Sequence, residues 1–351
     1  MINILNKNQI KILHIADNHD RHNGRLYYST VKKINNGLIK NDYNVIQLSD
    51  RDYLKRNIFN YKKKFFIKKL ISTIKNFKPN IILFGHVDSL SEDDFYDLKN
   101  MFKDVIFSQW FLDTLDPNFQ FHIQHKKRFF LKYQICDFNF ITTDPFSLDF
   151  VDPNKTFFIP NMCDPSIDIL QNYNSKKLDF DLFFAFSHGQ HRGILKKGHE
   201  DERLKFVDII ENSIVKTNFF GIKRQPIWGQ EFFNQLSKSK MGLNLNRGDK
   251  IKYYSSDRIC SLIANGLLTF LQKGYNYEDF FIDETHAIYF DDEVELLDKI
   301  KFYAKNDNQR CKIAFEGKKK YYELFNNSIV TDFMIKKVTD MKILNYKEWM
   351  I

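Results

Sequence analysis

Cysteine is scarce in this sequence, and the residues that occur are far apart. The four cysteines, at positions 136, 163, 260 and 311, form no Cys-x-x-Cys pair. This spacing argues against a zinc site and against a disulfide framework, and it is typical of proteins in a reducing cytoplasm. We therefore expect a cytoplasmic protein whose fold depends on its apolar core, for which 36 Phe and 17 Tyr provide ample material.

Long apolar runs are also missing. No stretch approaches the roughly 20 apolar residues that a membrane-spanning helix needs. The first 17 residues lack a basic region followed by a long apolar segment, so no signal peptide is predicted. These patterns favour a cytoplasmic location, with peripheral contact at the inner face of an anionic membrane as a further expectation.

Acidic residues do not balance the basic ones, because 53 Lys and Arg face 44 Asp and Glu, a net charge of +9 over 351 residues. A basic surface can bind nucleic acid, anionic lipid or phosphorylated ligands. No compact basic stripe with interleaved aromatic residues is present, so nucleic acid is not an expected partner. The alternative is compositional, since Lys, Asn, Ile and Phe are abundant throughout the chain, as AT-rich coding would produce.

Short apolar runs alternate with helical patterns along most of the chain. Five such runs in the first half and four in the second have the length of buried strands. The runs are 11–16, 44–48, 80–84, 105–110, 138–142, 181–186, 217–221, 241–245 and 267–271. Strands that alternate with helices predict parallel, doubly wound α/β sheets.

The stretch 241–271 combines a strand, a basic loop, a short helix and a second strand. Ser255, Ser256 and Asp257 are good N-cap and first-turn residues for that helix. Arg247, Lys250, Lys252 and Arg258 crowd the same end. Free backbone N–H groups, the helix dipole and these cations together suit a phosphate group. The alternative is a surface βαβ unit with solvated charges.

This stretch resembles the donor-binding core of CgeB-type GT-B glycosyltransferases. In that family an arginine opens a short helix that ends in a small-residue–Gly turn before an apolar strand, and Arg258 and Asn265-Gly266 match these features. Pro160, Asn161 and Asp164 resemble the family's interdomain segment. One residue departs from the pattern, because Ser261 stands where the family usually has a glutamate expected to touch the donor's ribose or sugar.

The resemblance implies two Rossmann-like doubly wound domains that face a cleft. Residues 1–155 would form the acceptor domain, 156–327 the nucleotide-sugar donor domain, and 328–351 a helical tail that packs back on the first domain. The implied activity is transfer of a sugar from a nucleotide-activated donor to a glycan or lipid-linked acceptor, in bacterial surface polysaccharide biosynthesis. A sugar-nucleotide epimerase of the same fold and a non-catalytic nucleotide-sugar-binding relative are the alternatives.

A second basic loop follows the strand at 181–186 and would complete a two-sided clamp on the nucleotide. Its glycines permit close approach of the backbone, and its cations can neutralise phosphate. The alternative is a solvated basic loop. The residues predicted to bind the donor are His188, Gly189, Arg192, Arg247, Lys252, Ser255, Ser256, Asp257, Arg258 and Ser261. Because Arg258 starts a helix rather than filling a core, Arg258→Ala is expected to weaken donor binding without loss of the fold.

The loop after the first strand, DNHDRHNGR, carries candidates for proton transfer. Asp17, His19 and Asp20 are the predicted catalytic residues, because a carboxylate or imidazole can activate an acceptor hydroxyl. If configuration is retained, a carboxylate could instead attack the sugar. The residues predicted on the acceptor side are Asn23, Gly24, Arg25, His86 and Asp113. The alternation of His and Asp also suggests a metal site, but GT-B enzymes usually act without a metal, so no metal or other cofactor is expected.

Overall fold

The computed structural model describes residues 6–56, 62–187 and 201–339, which form two compact units. The first unit comprises Met1–Asp164 and Asn326–Ile351, and the second comprises Pro165–Phe325. The predicted boundary at 155/156 differs from this division, which falls after Asp164. Residues 156–158 form a strand of the first sheet and so belong to the first unit.

The first unit is built on a six-stranded parallel sheet in the order β2-β1-β3-β4-β5-β6. Its strands are β1 (Lys11–Ile15), β2 (Asn44–Leu48), β3 (Ile81–Phe84), β4 (Ile106–Phe111), β5 (Phe138–Ile141) and β6 (Thr156–Phe158). All four side chains of β3 are buried, as both faces of a central parallel strand require. The edge strand β2 is partly exposed along its whole length.

Helices cover this sheet between successive strands. They are α1 (Thr30–Lys40), α2 (Asp50–Arg56), α3 (Lys62–Phe77), α4 (Glu92–Met101) and α5 (His122–Tyr133). Phe84 of β3 meets Phe95 of α4 and Phe107 of β4 edge to face, with ring centroids 5.3 and 5.5 Å apart. Such aromatic contacts fix how α4 lies on the sheet, beyond what apolar burial alone would specify.

The second unit repeats the plan with five parallel strands in the order β11-β10-β9-β7-β8. Its strands are β7 (Phe180–Ala185), β8 (Thr217–Phe220), β9 (Ser239–Asn244), β10 (Leu268–Gln272) and β11 (Ile288–Phe290). Its helices are α6 (Leu204–Glu211), α7 (Gln230–Leu236), α8 (Arg258–Ile263), α9 (Glu293–Lys305) and α10 (Asp307–Phe325). Gly242 lets α8 approach β9, because a Cβ there would lie 2.5 Å from Leu262 Cδ2.

The last described helix, α11 (Asn327–Thr339), belongs to the first unit. It packs on α1, and the Tyr43 hydroxyl donates to Asp332 Oδ1 at 2.9 Å. The predicted fold class is confirmed: two Rossmann-like α/β units with a C-terminal helix that returns to the first. Within the three described ranges, every helix is too short or too polar to cross a membrane.

Candidate functional site

Strand order alone points to one location in the second unit. The chain leaves β7 for β8 on one side, and β9 pairs with β7 on the other. Ligands of open parallel sheets bind beyond the carboxyl ends of the two strands where the order reverses. Those ends are Ala185 on β7 and Asn244 on β9, and we call them the second switch point.

The side chain of Arg258 lies at the second switch point and contacts both strand ends. Its Nε donates to Ala185 O and its Nη1 to Leu245 O, both at 2.9 Å, so one guanidinium joins the ends of β7 and β9. The guanidinium also lies 4.9 Å from the ring centre of Phe184, and the residue is only 8% exposed. The view that Arg258 does not fill a core is therefore wrong, because its side chain is part of the packed interior.

Two further arginines surround this position. Arg203 is buried, its Nη2 lies 2.7 Å from Asp201 Oδ2, and its guanidinium lies 4.0 Å from the Phe186 ring centre. Arg247 is half-buried on the loop after β9. Burial, and then the charge of Arg203, lowers the pKa of Arg247 and lowers that of Arg258 to about 9.

Carboxylates also lie near these cations. Asp201 and Glu202 oppose the lowering of the Arg247 pKa, and Asp257 opposes that of Arg258, but burial and Arg203 outweigh them. Asp201 is buried, and its pKa is lowered: burial alone would raise it, but the bonds from Arg203 outweigh burial. Cations that depress one another's pKa are stabilised when an anion binds among them. Guanidinium groups bind phosphate oxygens in a bidentate manner, so the arrangement is suited to a phosphorylated ligand.

The loop that precedes α8 is held by asparagine side chains. Asn246 donates to Tyr254 O at 3.2 Å and accepts from Ser256 N at 3.0 Å. Asn244 Nδ2 donates to Ser255 Oγ at 3.0 Å. The predicted start of the helix is confirmed, because Asp257 is the N-cap residue, but Asp257 makes no side-chain cap bond and the Ser255 side chain is buried against Asn244.

Other residues predicted to bind the donor occupy varied surroundings. The Lys252 ammonium lies 4.7 Å from the ring centre of Tyr253, and Asp257 is exposed. Ser261 is buried within α8, which has only six residues. The serine that stands in place of the glutamate of CgeB-type proteins therefore lies inside the helix. His188, Gly189 and Arg192 lie outside the described residues.

Sequence reasoning missed Asp201, Arg203, Asn244 and Asn246. Asn244 and Asn246 alternate at the end of an apolar strand, which is a signal for polar groups at a carboxyl edge. Arg203 carried no comparable signal, because its burial depends on Phe186 and on its pairing with Asp201.

The first unit has a corresponding point where strand order reverses, at the ends of β1 and β3. Asp17 follows β1, and Gly85-His86 follows β3. We call this the first switch point. A Cβ on Gly85 would lie 2.4 Å from Trp110 Cζ2, so glycine is required for the indole to lie there.

Asp17 is a fixed carboxylate. Its Oδ2 accepts from Arg21 Nη2 at 2.6 Å, Arg21 Nη1 contacts Oδ1, and His19 N donates to Oδ1 at 3.1 Å. Burial alone would raise the pKa of Asp17, but the bonds from Arg21 and His19 outweigh it and hold the pKa well below its usual range. A carboxylate stabilised in this way is a weak proton acceptor.

The other predicted catalytic residues are close by. His19 Nδ1 lies 3.3 Å from Asp17 Oδ2, and the residue has a left-handed backbone. Asp20 is exposed and accepts from Asn18 Nδ2. Their assignment as catalytic residues stays a prediction.

His86 has the surroundings of a neutral base. Its ring stacks on Phe111 with centroids 4.9 Å apart and planes 6° from parallel, and its side chain is 20% exposed. Nδ1 lies 3.8 Å from Asp113 Oδ2, which also accepts from Arg128 Nη1 at 2.9 Å. Burial lowers the pKa of His86 to about 4, although Asp113 opposes this.

The remaining residues predicted on the acceptor side form an exposed turn. Asn23 and Gly24 both have left-handed backbones, with φ of 51° and 79°. Arg25 follows them and is exposed. Of the acceptor-side set, the structure places His86 and Asp113 beside each other. Across the described ranges, no three His, Cys, Asp or Glu side chains are placed to hold a metal ion.

Comparison with known proteins agrees with this architecture. A family model described as glycosyl transferase-like matches residues 210–331. No curated protein matches the chain. The structure of HepE from Anabaena in complex with UDP and glucose aligns with a TM-score of 0.58 and 8% identity, covering 95% of this chain and 100% of that one.

Two other solved structures align over similar lengths. Sucrose-phosphate synthase from Thermosynechococcus elongatus has a TM-score of 0.59 and 10% identity, covering 95% of this chain and 99% of that one. A Listeria monocytogenes protein named as a UDP-N-acetylglucosamine 2-epimerase has a TM-score of 0.53 and 13% identity, covering 95% and 98%. At such identities these likenesses establish the fold, the two-domain GT-B architecture.

Proposed function

We propose that this protein is a glycosyltransferase that binds a nucleoside-diphosphate sugar on its second unit. The observation that carries the proposal is the group of three arginines, Arg203, Arg247 and Arg258, at the switch point between β7 and β9. UDP-glucose is the first donor to test, because the structurally similar HepE has been crystallised with UDP-glucose. The family model over residues 210–331 supports the same class of activity.

We propose different roles for the three arginines. Arg258 is bonded to two backbone carbonyls and forms the floor of the site. Arg247 and Arg203 would donate charge-assisted hydrogen bonds to a diphosphate, and Ser256 and Lys252 lie on the same loop as Arg247. Fixed donors at the departing diphosphate lower the barrier to transfer, since negative charge grows there in the transition state.

The first unit would orient and activate the acceptor, a hydroxyl of a glycan or of a lipid-linked sugar. Within the first switch point we assign His86 as the group that accepts the proton, because its imidazole follows β3 and Asp113 Oδ2, 3.8 Å from Nδ1, would stabilise the imidazolium that forms. Asp17, held by Arg21, would act as a fixed anion, and His19 and Asp20 are the competing candidates. A role in bacterial surface polysaccharide biosynthesis belongs to the same proposal.

A nucleotide panel tests the donor assignment most directly. UDP, GDP and ADP are compared in thermal unfolding with the full chain. A nucleotide present at a hundredfold over its dissociation constant is expected to add about 2.7 kcal/mol of stability. If none of the three raises the unfolding temperature, the donor site is wrongly assigned.

The reaction products separate the alternatives. Slow hydrolysis of UDP-sugar, or transfer to an added glycan, supports a transferase. An epimerase has one specific observation in its favour, the shared fold of the Listeria protein, and it would release an altered sugar without needing an acceptor. Binding without turnover would indicate a non-catalytic relative. In that case Ser261, in place of the expected glutamate, is the first position to examine as the cause of lost activity.

Turnover is expected to persist in excess EDTA. Arg203, Arg247 and Lys252 can supply the positive charge that a divalent cation would otherwise supply at a diphosphate. Rates of UDP release are measured before and after EDTA treatment, with dialysed enzyme as the control. A complete loss that magnesium or manganese restores would contradict metal independence and would direct attention to Asp17, His19 and His22.

A further inference from the structure

The loop that joins β9 to α8, residues 245–257, contains a tyrosine in an unfavourable conformation. Tyr253 has φ of 63° and is only 4% exposed. A bulky residue rarely adopts a left-handed backbone, because its Cβ crowds the neighbouring peptide. Such a conformation persists only where surrounding contacts impose it, and it is concentrated at functional sites.

The contacts that impose it come from the segment after β10. Tyr253 N donates to Tyr275 O at 2.8 Å, and the Tyr253 hydroxyl donates to Asp279 Oδ2 at 2.6 Å. The ring packs on Phe280 with centroids 4.8 Å apart. Both the backbone and the side chain of Tyr253 are therefore tied to the loop of the neighbouring strand. We call the hydroxyl–carboxylate bond the Tyr253 latch.

The latch is connected to the arginines through the rest of the loop. Tyr254, the next residue, accepts through its carbonyl from Asn246 Nδ2, and Asn246 Oδ1 accepts from Ser256 N. Arg247 directly follows Asn246 in the chain. Gly248 N donates to Glu202 Oε1 at 2.7 Å. A displacement at Tyr253 would therefore reach Asn246, and through it both Ser256 and Arg247.

We infer that Tyr253 is a positioning residue for the donor diphosphate: the Tyr253 latch holds the loop closed so that Arg247 and Ser256 are presented before the ligand binds. The inference rests on the proposed function, and Tyr253 itself touches no ligand in it. Burial disfavours the charge of Arg247, and the like charge of Arg203 adds to this, so the side chain gains by moving towards solvent, although Asp201 and Glu202 oppose the movement. A loop tied at Tyr253 opposes that movement, and a preformed site loses less entropy when it binds.

The test uses the full chain and UDP as the probe. Tyr253→Phe keeps the ring and removes the hydroxyl, and Asp279→Ala removes the acceptor from an exposed position. Each is expected to weaken UDP binding about tenfold in calorimetry, as loss of a charge-assisted hydrogen bond would. The double variant should be no weaker than either single variant, because both remove the same interaction. Asp279→Asn keeps an acceptor oxygen and should recover most of the affinity.

Hydrogen exchange without ligand provides a second readout. Amides of residues 246–257 are expected to exchange faster in Tyr253→Phe than in the wild type. Tyr43→Phe is the matched control, because it removes a tyrosine–aspartate bond of similar length, 2.9 Å, from the first unit. It should change neither UDP affinity nor exchange in residues 246–257.

The outcomes separate this inference from the proposed function. If wild-type protein binds no nucleoside diphosphate, the proposed function fails and the ligand role of the latch fails with it. If the wild type binds UDP and Tyr253→Phe binds it equally well, the latch inference alone is overturned. Unchanged exchange in the loop of Tyr253→Phe would likewise overturn the latch, since the loop would then be held by other contacts.

Discussion

Arg258→Ala is expected to lower the free energy of unfolding by about 2–4 kcal/mol, in addition to weakening donor binding. The buried guanidinium donates to Ala185 O and Leu245 O. Its removal leaves both carbonyls without these donors at the ends of two adjacent strands. A buried acceptor left unsatisfied costs about 1–3 kcal/mol.

Two opposing effects limit the loss. Removing the guanidinium relieves the cost of burying a charge, and it ends the repulsion from Arg203, both of which lower the pKa of Arg258 to about 9. Because that pKa is still above 7, Arg258 is charged under ordinary conditions. We expect the two unsatisfied carbonyls and the void left beside the Phe184 ring to outweigh this relief.

The free energy of unfolding is measured by urea denaturation for three proteins: the wild type, Arg258→Ala and Arg258→Lys. Lysine keeps the charge but lacks the planar fork that reaches both carbonyls, so Arg258→Lys should be intermediate. Arg224→Ala is the control, an exposed arginine of the same unit, and its unfolding free energy should stay within about 0.5 kcal/mol of the wild type. An Arg258→Ala variant as stable as the wild type would show that Arg258 does not join β7 to β9.

The central strands could be predicted because burial on both faces leaves an apolar run in the sequence. The run at 44–48 gave both ends of β2 correctly, and the runs at 80–84 and 138–142 gave β3 and β5 to within a residue. Strands β6 and β11 were missed because each has only three residues. Runs that short are not distinguishable from loop segments by their composition.

Helices α2 and α4 of the first unit could not be predicted from the sequence for a different reason. Helix α4 begins with Glu92, Asp93 and Asp94 and buries only Phe95 and Leu98, so its apolar stripe is too narrow to stand out. Helix α2 has only seven residues, too few for a helical period to stand out in the sequence. Both helices are specified by packing against the sheet rather than by their own periodicity.

The candidate site shows the same limit at single residues. The motif placed Arg258 at the start of a short helix, which the structure confirms, but nothing in the sequence indicated that its guanidinium would bind backbone carbonyls from two strands. Burial of a charged side chain depends on distant partners, here Ala185 and Leu245. The pattern of residue types therefore predicts which element carries a residue better than it predicts which partners its side chain contacts.

His86→Gln is expected to lower turnover about 10²-fold or more while UDP affinity stays nearly unchanged, which is the size of effect that loss of acid–base help produces. The ring is held by Phe111 and lies beside Asp113, so its position depends on the fold rather than on the ligand. Glutamine fills a similar volume but cannot accept a proton. UDP release from the donor and calorimetry with UDP give turnover and affinity separately.

The pH dependence follows from the direction of the shift. Burial lowers the pKa of His86 to about 4, so the imidazole is neutral and able to accept a proton from pH 5 upward. Titration of His86 should therefore leave turnover constant between pH 5 and 7 and should lower it as the pH falls through about 4. A depressed pKa also means that the unfolded chain binds the proton first, so the contribution of His86 to stability is lost as pH falls from about 6.5 towards 4.

Matched variants decide between His86 and the loop after β1. His125→Gln is the control, a histidine of α5 whose Nδ1 contacts Thr114 O at 2.8 Å, and it should retain normal turnover. If His86 is the base, variants with His19 or Asp20 replaced singly should also retain most turnover. Asp17→Asn would affect turnover indirectly, because it displaces Arg21 from its carboxylate partner. If His86→Gln keeps near-normal turnover while Asp20→Asn or His19→Gln loses it, the proton acceptor lies in the loop. An inflection of turnover near pH 6.5 that His86→Gln abolishes would instead keep His86 as the base but contradict its burial, because only a solvated imidazole titrates there.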